Sequence, residues 1–270
     1  ACHFHGSAGE FGRFRRAADR TDRFDALTPK LGLVADLAGG EGFVNLARGA
    51  RAPQITDLYS LQTTQVPGGQ GVETIDSAEV GWSGDVGPVQ VDVAAYRMDK
   101  DGTSFRNADG LTVTGAATRH EGVEVAADWT VTPALTLSGW VVRARHTYRF
   151  SDASARAGET ITAGSDIDSA PRLTGFASAR WRLRPATTVS LEASHMGRYF
   201  TNAAGTREYP GHTVWSLRLE QAVSPRAAVT AQLTNLADVA YAERADFAFG
   251  QDRYFPGAPR GLQVGLRLRR

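Results

Sequence analysis

The sequence holds one cysteine, Cys2, in 270 residues, which excludes an intrachain disulfide and a zinc cluster built on several thiolates. It carries almost no net charge: 30 Lys and Arg stand against 29 Asp and Glu, for a formal +1. No global field points to nucleic acid or to an acidic partner, so any partner must be recognised by local sites. No apolar run approaches the roughly 18 residues of a membrane helix. The opening Ala1-Cys2-His3-Phe4-His5 has neither the basic start nor the apolar stretch of a secretory signal. A membrane role would therefore need strands.

Catalytic patterns are missing as well. His120, His146, His195 and His212 are dispersed at strand ends, no Gly-x-Ser-x-Gly elbow occurs, and Pro67-Gly68-Gly69-Gln70-Gly71 follows no strand-to-helix pattern that could cradle a phosphate. Ser194 and His195 are adjacent on a strand pattern and so point to opposite faces. Cys2, His3 and His5 at a terminus are ligand types whose proximity is incidental. The residues imply no enzyme, no cofactor and no bound metal.

What the chain does have is a period of two. Leu31, Leu33, Ala35 and Leu37 alternate with Gly32, Val34 and Asp36, and Val123, Val125, Ala127 and Trp129 alternate with Glu124, Ala126 and Asp128. The same alternation runs through 177–183, 189–194, 215–220 and 229–234 and closes with Leu262, Val264, Leu266 and Leu268 against Gln263, Gly265, Arg267 and Arg269. Turn formers punctuate it at Gly39-Gly40, Gly87-Pro88, Thr132-Pro133, Arg184-Pro185 and Ser224-Pro225. Each is flanked by stretches of about ten residues, the length of a tilted strand across a bilayer.

The opposite connections are long and polar: Ala50 to Thr74, Lys100 to Ala116, Phe150 to Asp168, Thr201 to Pro210 and Ala237 to Arg260. Short turns at one end and long loops at the other predict an all-β, antiparallel transmembrane barrel with its loops outside the cell. Mid-strand charges such as Asp92, Glu124, Asp128, Arg180, Glu192, Arg218 and Arg267 could not enter a dry sandwich core unpaired. Placing the three arginines in lipid would cost about 2 to 4 kcal/mol each, which fixes the register of the faces. Trp82, Trp129 and Trp181 at the turn ends, and Tyr199, Tyr209, Tyr241 and Tyr254 at the loop ends, read as two aromatic girdles. Residues 1–25, Arg-rich but interleaved with acids, read as a polar extracellular loop or tail.

Two motifs, Asn235-Leu236-Ala237-Asp238 and Pro256-Gly257-Ala258-Pro259-Arg260, precede the closing strand. Earlier come Leu27-Thr28-Pro29-Lys30-Leu31-Gly32, Arg48-Gly49-Ala50-Arg51-Ala52-Pro53, Glu73-Thr74 with Glu79-Val80-Gly81, and Glu121-Gly122-Val123-Glu124. In this order and at hairpin spacing they resemble the barrel of TonB-dependent outer-membrane receptors, whereas the terminal Arg270 departs from the family's usual aromatic end. The resemblance implies that 26–270 supply about 11 C-terminal strands of a 22-stranded barrel, with the plug and N-terminal strands absent.

The resemblance also implies uptake of a scarce bulky nutrient, foremost a ferric siderophore or similar metal chelate. The further partners it implies are the TonB complex through the plug and outer-membrane lipid and lipopolysaccharide, around a receptor monomeric at full length. A passive porin-like channel is the alternative. An anionic chelate calls for Arg forks and aromatic faces, and three loops offer both: Arg51 with Tyr59; Tyr199, Arg207 and Tyr209; and Arg244, Phe247, Phe249 and Tyr254.

Overall fold

The computed structural model describes residues 2–4, 6, 8–12, 14–55, 58, 61–62, 69–106, 112–153 and 159–268; Tyr59, His5, Arg269 and Arg270 lie outside them. Eleven long strands organise the chain: β1 (Lys30–Leu37), β2 (Gly40–Arg51), β3 (Glu73–Val86), β4 (Val89–Arg106), β5 (Thr112–Thr132), β6 (Leu135–Tyr148), β7 (Leu173–Arg184), β8 (Thr187–Met196), β9 (His212–Ser224), β10 (Ala227–Thr234) and β11 (Gly261–Leu268). They form one 11-stranded sheet in which each strand pairs antiparallel with its sequence neighbour. The fold is an up-and-down meander, as the alternation predicts.

The five tight turns fall where the punctuation places them. Ala38 and Gly39 both take positive φ (51° and 79°), the mirror-image turn whose twist matches the flanking strands. Gly87 (φ 62°) precedes Pro88, a pairing that only the second mirror-image turn accommodates. At Pro133, Pro185 and Pro225 the register shifts just before the turn, between Thr130 and Thr132, Arg182 and Arg184, and Ala222 and Ser224. The extra residue of such a bulge restores strand twist that a proline-led turn would otherwise splay.

Register resolves the two faces. One row runs Val89, Trp129, Leu137, Ala179, Leu191, Leu217, Leu233 and Leu262 across β4 to β11. The next row along, on the opposite face, runs Gln90, Asp128, Ser138, Ser178, Glu192 and Ser216. Polar side chains on this second face bond across strands: Ser138 with Asp128, and Ser83 with Asp92. The apolar face stays open. Trp181 is 54% exposed and Leu262, Val264, Leu266 and Leu268 are 65–71% exposed, far beyond what a water-facing sheet sustains. At a turn end of that face the Trp82 indole N–H donates to the Leu37 carbonyl at 2.8 Å, an amphipathic anchor suited to an interface.

Three expectations change. The stretch Lys100 to Ala116 is mostly strand, not loop: β4 and β5 continue their pairing out to Arg106 and Thr112, where the Thr103 hydroxyl donates to the Ala116 carbonyl at 3.2 Å and the Phe105 ring lies 5.1 Å from that of Phe150. Residues 1–25 contain short paired strands, Cys2–Phe4 with Arg20–Asp22 and Gly9–Phe11 with Phe14–Arg16, the last also pairing with Leu61–Gln62. Tyr199 and Tyr209 are not girdle residues. They are buried, 6% and 5% exposed, in a small core with Ala242 and Ala245 above the sheet, where their hydroxyls find backbone partners that lipid could not offer.

Candidate functional site

The long loop between β10 and β11 is held at its root by the two motifs that precede the last strand. Asn235 is 1% exposed and sits at φ 50°. Its amide nitrogen donates to the carbonyls of Val239 and Ala258 at 2.9 and 3.1 Å, and its amide oxygen accepts from Val239 N–H at 2.9 Å. One side chain thus stitches the outgoing chain to the returning chain. Asp238 accepts from Arg260 N–H at 3.1 Å. Tyr241 lies so close over Gly257 that a Cβ there would meet its ring at 2.2 Å, and Gly257 N–H donates to the Tyr241 carbonyl at 2.9 Å.

Above this clasp the loop forms a hairpin, Ala242–Ala248 with Gln251–Pro256. Tyr199 and Tyr209 moor it to the preceding loop. Ala245 N–H donates to the Tyr199 hydroxyl at 2.8 Å, which in turn donates to the Ala245 carbonyl at 3.2 Å; Tyr209 does the same with Ala242 at 3.0 and 3.2 Å. Arg207 closes the same side, with Nη1 2.8 Å from Asp252 Oδ2 and its guanidinium 4.4 Å from the Phe247 ring centre.

The hairpin's other side is open. Arg244 is directly opposite Phe255, and Asp246 opposite Arg253. Both guanidinium groups grip the buried Asp246 carboxylate, Arg253 at 2.6 Å and Arg244 more closely still. Burial alone would raise the Asp246 pKa, but these two cations hold it below the ordinary carboxylate range. Two guanidinium groups share one carboxylate, which leaves local positive charge and unspent N–H donors. Aromatic rings flank them: Arg244 stands 5.1 Å from Phe255, and Arg253 5.6 Å from Phe249. Phe249 itself is 93% exposed, at φ 55° in the hairpin turn, a conformation that costs a bulky residue of order 1–3 kcal/mol. Tyr254 is exposed on the adjacent position.

The sequence reading therefore finds Arg207, Arg244, Phe247, Phe249 and Tyr254 gathered around one hairpin. It missed Arg253 and Phe255, whose place opposite Asp246 and Arg244 depends on a hairpin register that no motif announces. Arg51 is not in this group. It stands at the outer end of β2, on the polar face with Glu73 and Lys100: Glu73 Oε2 accepts from Arg51 Nη2 at 2.6 Å and Oε1 faces Lys100 Nζ at 2.5 Å. Burial tends to raise the Glu73 pKa, and the two cations bring it down. Also missed were His120 and His146, which the sequence leaves dispersed; β5 and β6 pair them directly, with their Nδ1 atoms 2.8 Å apart.

A meander with short turns at one end, long loops at the other, an apolar outer face and a polar inner face is the wall of a transmembrane barrel. The sequence of residues 4–236 matches the family described as TonB dependent receptor-like, beta-barrel. This chain belongs to the TonB-dependent receptors. The receptor wall accordingly lies in the bacterial outer membrane, and the family is one of transporters, not enzymes.

No curated protein sequence matches the chain, but solved receptor structures share its fold. The ferric-catecholate import receptor Fiu of E. coli K12, in its closed form, is 20% identical with a TM-score of 0.71, covering 88% of this chain and 34% of its own. The siderophore receptor PiuA from Acinetobacter baumannii is 15% identical with a TM-score of 0.77, over 93% of this chain and 37% of its own. The copper transporter OprC is 14% identical with a TM-score of 0.66, over 88% and 40%. The chain thus spans between a third and two-fifths of the length of these receptors, and at such identities the likeness is one of fold.

Proposed function

We propose that this wall belongs to a receptor that takes up a bulky anionic metal chelate, foremost a ferric siderophore, across the outer membrane with energy from the TonB complex. The observation that carries the reading is the open face of the last hairpin. Arg244 and Arg253, joined to a single carboxylate and flanked by Phe249 and Phe255, offer charge-assisted donors and aromatic faces together. Phe249 strengthens it: a large ring held at the tip, exposed and backbone-strained, has among the described residues the Arg253 guanidinium at 5.6 Å to set against that cost, and its other face is free for cargo. Arg51 adds a cation on the inner wall, and Tyr254 a further ring; Tyr199 and Tyr209 serve by mooring the hairpin, while Phe247 and Arg207 pack its back. Several structural relatives are named for ferric chelates and one for copper, which supports a metal chelate as cargo class.

Outside the apolar band, Arg97, Arg143 and Arg145 project from the outward face of β4 and β6, in the rows of Val123 and Glu121. There they meet the phosphates of outer-leaflet lipid and lipopolysaccharide.

The test uses the full-length receptor in detergent with a panel of ferric siderophores. Arg244→Ala and Phe249→Asn should each weaken binding of the cognate chelate about tenfold or more, roughly 1.4 kcal/mol, with normal surface levels. Unchanged affinity in both variants retires the hairpin as the cargo contact. Uptake that continues at full rate in cells lacking TonB would instead identify a passive channel.

A further inference from the structure

The inner face of the wall carries a second cluster, remote from the hairpin in the strand order. Met98 on β4, His120 on β5 and His146 on β6 are direct cross-strand partners in one row. Cβ atoms so paired stand about 4.5–5.5 Å apart. The next row toward the tight turns pairs Arg97, Glu121 and Arg145 on the outward face, charges that belong outside hydrocarbon, so the histidine row sits at the mouth of the barrel above the membrane.

Its geometry is specific. His120 Nε2 lies 2.9 Å from Thr118 Oγ1 and its Nδ1 lies 2.8 Å from His146 Nδ1. With Thr118 accepting the Nε2 proton, the His120 Nδ1 lone pair is aimed at His146, an arrangement of the kind that orients a ligating imidazole. That 2.8 Å is the length of a hydrogen bond between the rings, and it is also about the separation of two imidazole nitrogens that each stand about 2.0 Å from one ion at a right angle, against about 3.3 Å at a tetrahedral angle. A right angle is the angle of tetragonal Cu2+. Among the described residues no three His, Cys, Asp or Glu side chains converge, so the remaining positions fall to the Met98 thioether, a soft ligand suited to Cu+, and to water.

The chain's other methionine makes an instructive contrast. Met196 is likewise the cross-strand partner of a histidine, His212. There the pairing is explained by packing: Met196 lies against the buried tyrosine core, and His212 Nδ1 is 2.8 Å from the Tyr209 hydroxyl with its ring 4.5 Å from that of Tyr241. Among the described residues, the ring contact of His120 and His146 is the one they make with each other, 5.0 Å between ring centres.

We infer that His120 and His146, with Met98 beside them, form a copper-binding site on the inner wall at the barrel mouth. In the metal-free state His146 donates its Nδ1 proton to His120. Binding shifts that proton to Nε2 through solvent, so both Nδ1 atoms ligate and no net proton is released. The site stands apart from the hairpin and the ferric cargo, so a bound ion can be read there directly.

The full-length receptor in detergent, titrated with Cu2+ in a weakly chelating buffer, should bind one equivalent whose electron paramagnetic resonance spectrum shows coupling to two imidazole nitrogens. His120→Gln and His146→Gln should each weaken binding tenfold or more and reduce the coupling to one nitrogen, with far-ultraviolet circular dichroism unchanged. Met98→Leu should spare Cu2+ but weaken Cu+ in competition with bicinchoninate. The control His212→Gln should change neither. A wild-type receptor without a tight equivalent, or glutamine variants with the wild-type spectrum, overturns the site. Loss of copper binding with intact siderophore binding in His120→Gln and His146→Gln would show that the two sites are separate.

Discussion

Asn235 makes three hydrogen bonds from one buried amide, and no apolar side chain can replace them. In Asn235→Ala the Val239 N–H and two carbonyls lose their partner, at about 1–3 kcal/mol for a buried group left unsatisfied. The expected outcome is local: peptide bonds within 239–258 become sensitive to brief proteolysis while the strands stay protected. Tyr199→Phe and Tyr209→Phe should act in the same direction, since each hydroxyl both donates to and accepts from the hairpin backbone. Resistance equal to wild type in all three variants would show that other contacts hold the hairpin. Phe249 predicts the opposite sign for stability: Phe249→Asn places a residue tolerant of positive φ in the turn and should make the hairpin more protected, even as cargo binding falls. The sequence made Asn235 visible as part of a motif but said nothing of its role, because its partners Val239 and Ala258 lie on both sides of a loop that only the closed clasp brings together.

Among the elements, the strands were legible because a sheet with one apolar and one polar face writes its geometry as strict alternation. The loops were not, since their side chains answer to tertiary partners. The loop after β6 is an example. Tyr148 donates its hydroxyl proton to Asp168 at 2.5 Å, and Tyr148 N–H donates to the Ser165 carbonyl at 3.0 Å. Burial raises the Asp168 pKa despite that donated bond. A carboxyl whose folded value exceeds its unfolded value, about 3.9, binds more protons when folded. Its stabilising contribution is complete below the unfolded value and is lost as pH rises through the folded one. Protection of the Tyr148 amide, corrected for intrinsic exchange, should therefore be greater near pH 4 than at pH 7, and Asp168→Asn should flatten the difference. A profile that rises with pH in the wild type would contradict this assignment.

At the level of the molecule, β1 and β11 are the two ends of the sheet and do not pair with each other. Edge N–H and C=O groups cannot face hydrocarbon unpaired, and the apolar face is exposed along both edges, with Leu31 and Leu33 at 67% and 66% and Val264 at 70%. Residues 1–270 expressed alone should aggregate or require detergent. A monodisperse monomer in plain buffer, by light scattering, would refute the barrel-wall assignment of those edges.

By itself the sequence determined the faces, the turns and the order of the eleven strands. Those follow from interactions between residues close along the chain or in adjacent hairpins, and lipid on one side leaves only one admissible register for Arg180, Arg218 and Arg267. Only the tertiary structure decided which outer residues act together. It put Arg253 beside Arg244 and Phe255, spent Tyr199 and Tyr209 on mooring the hairpin, set Arg51 apart on β2 and joined His120 to His146. These contacts depend on pairing register, and on loops whose ends meet only when non-adjacent segments of the chain have folded against one another.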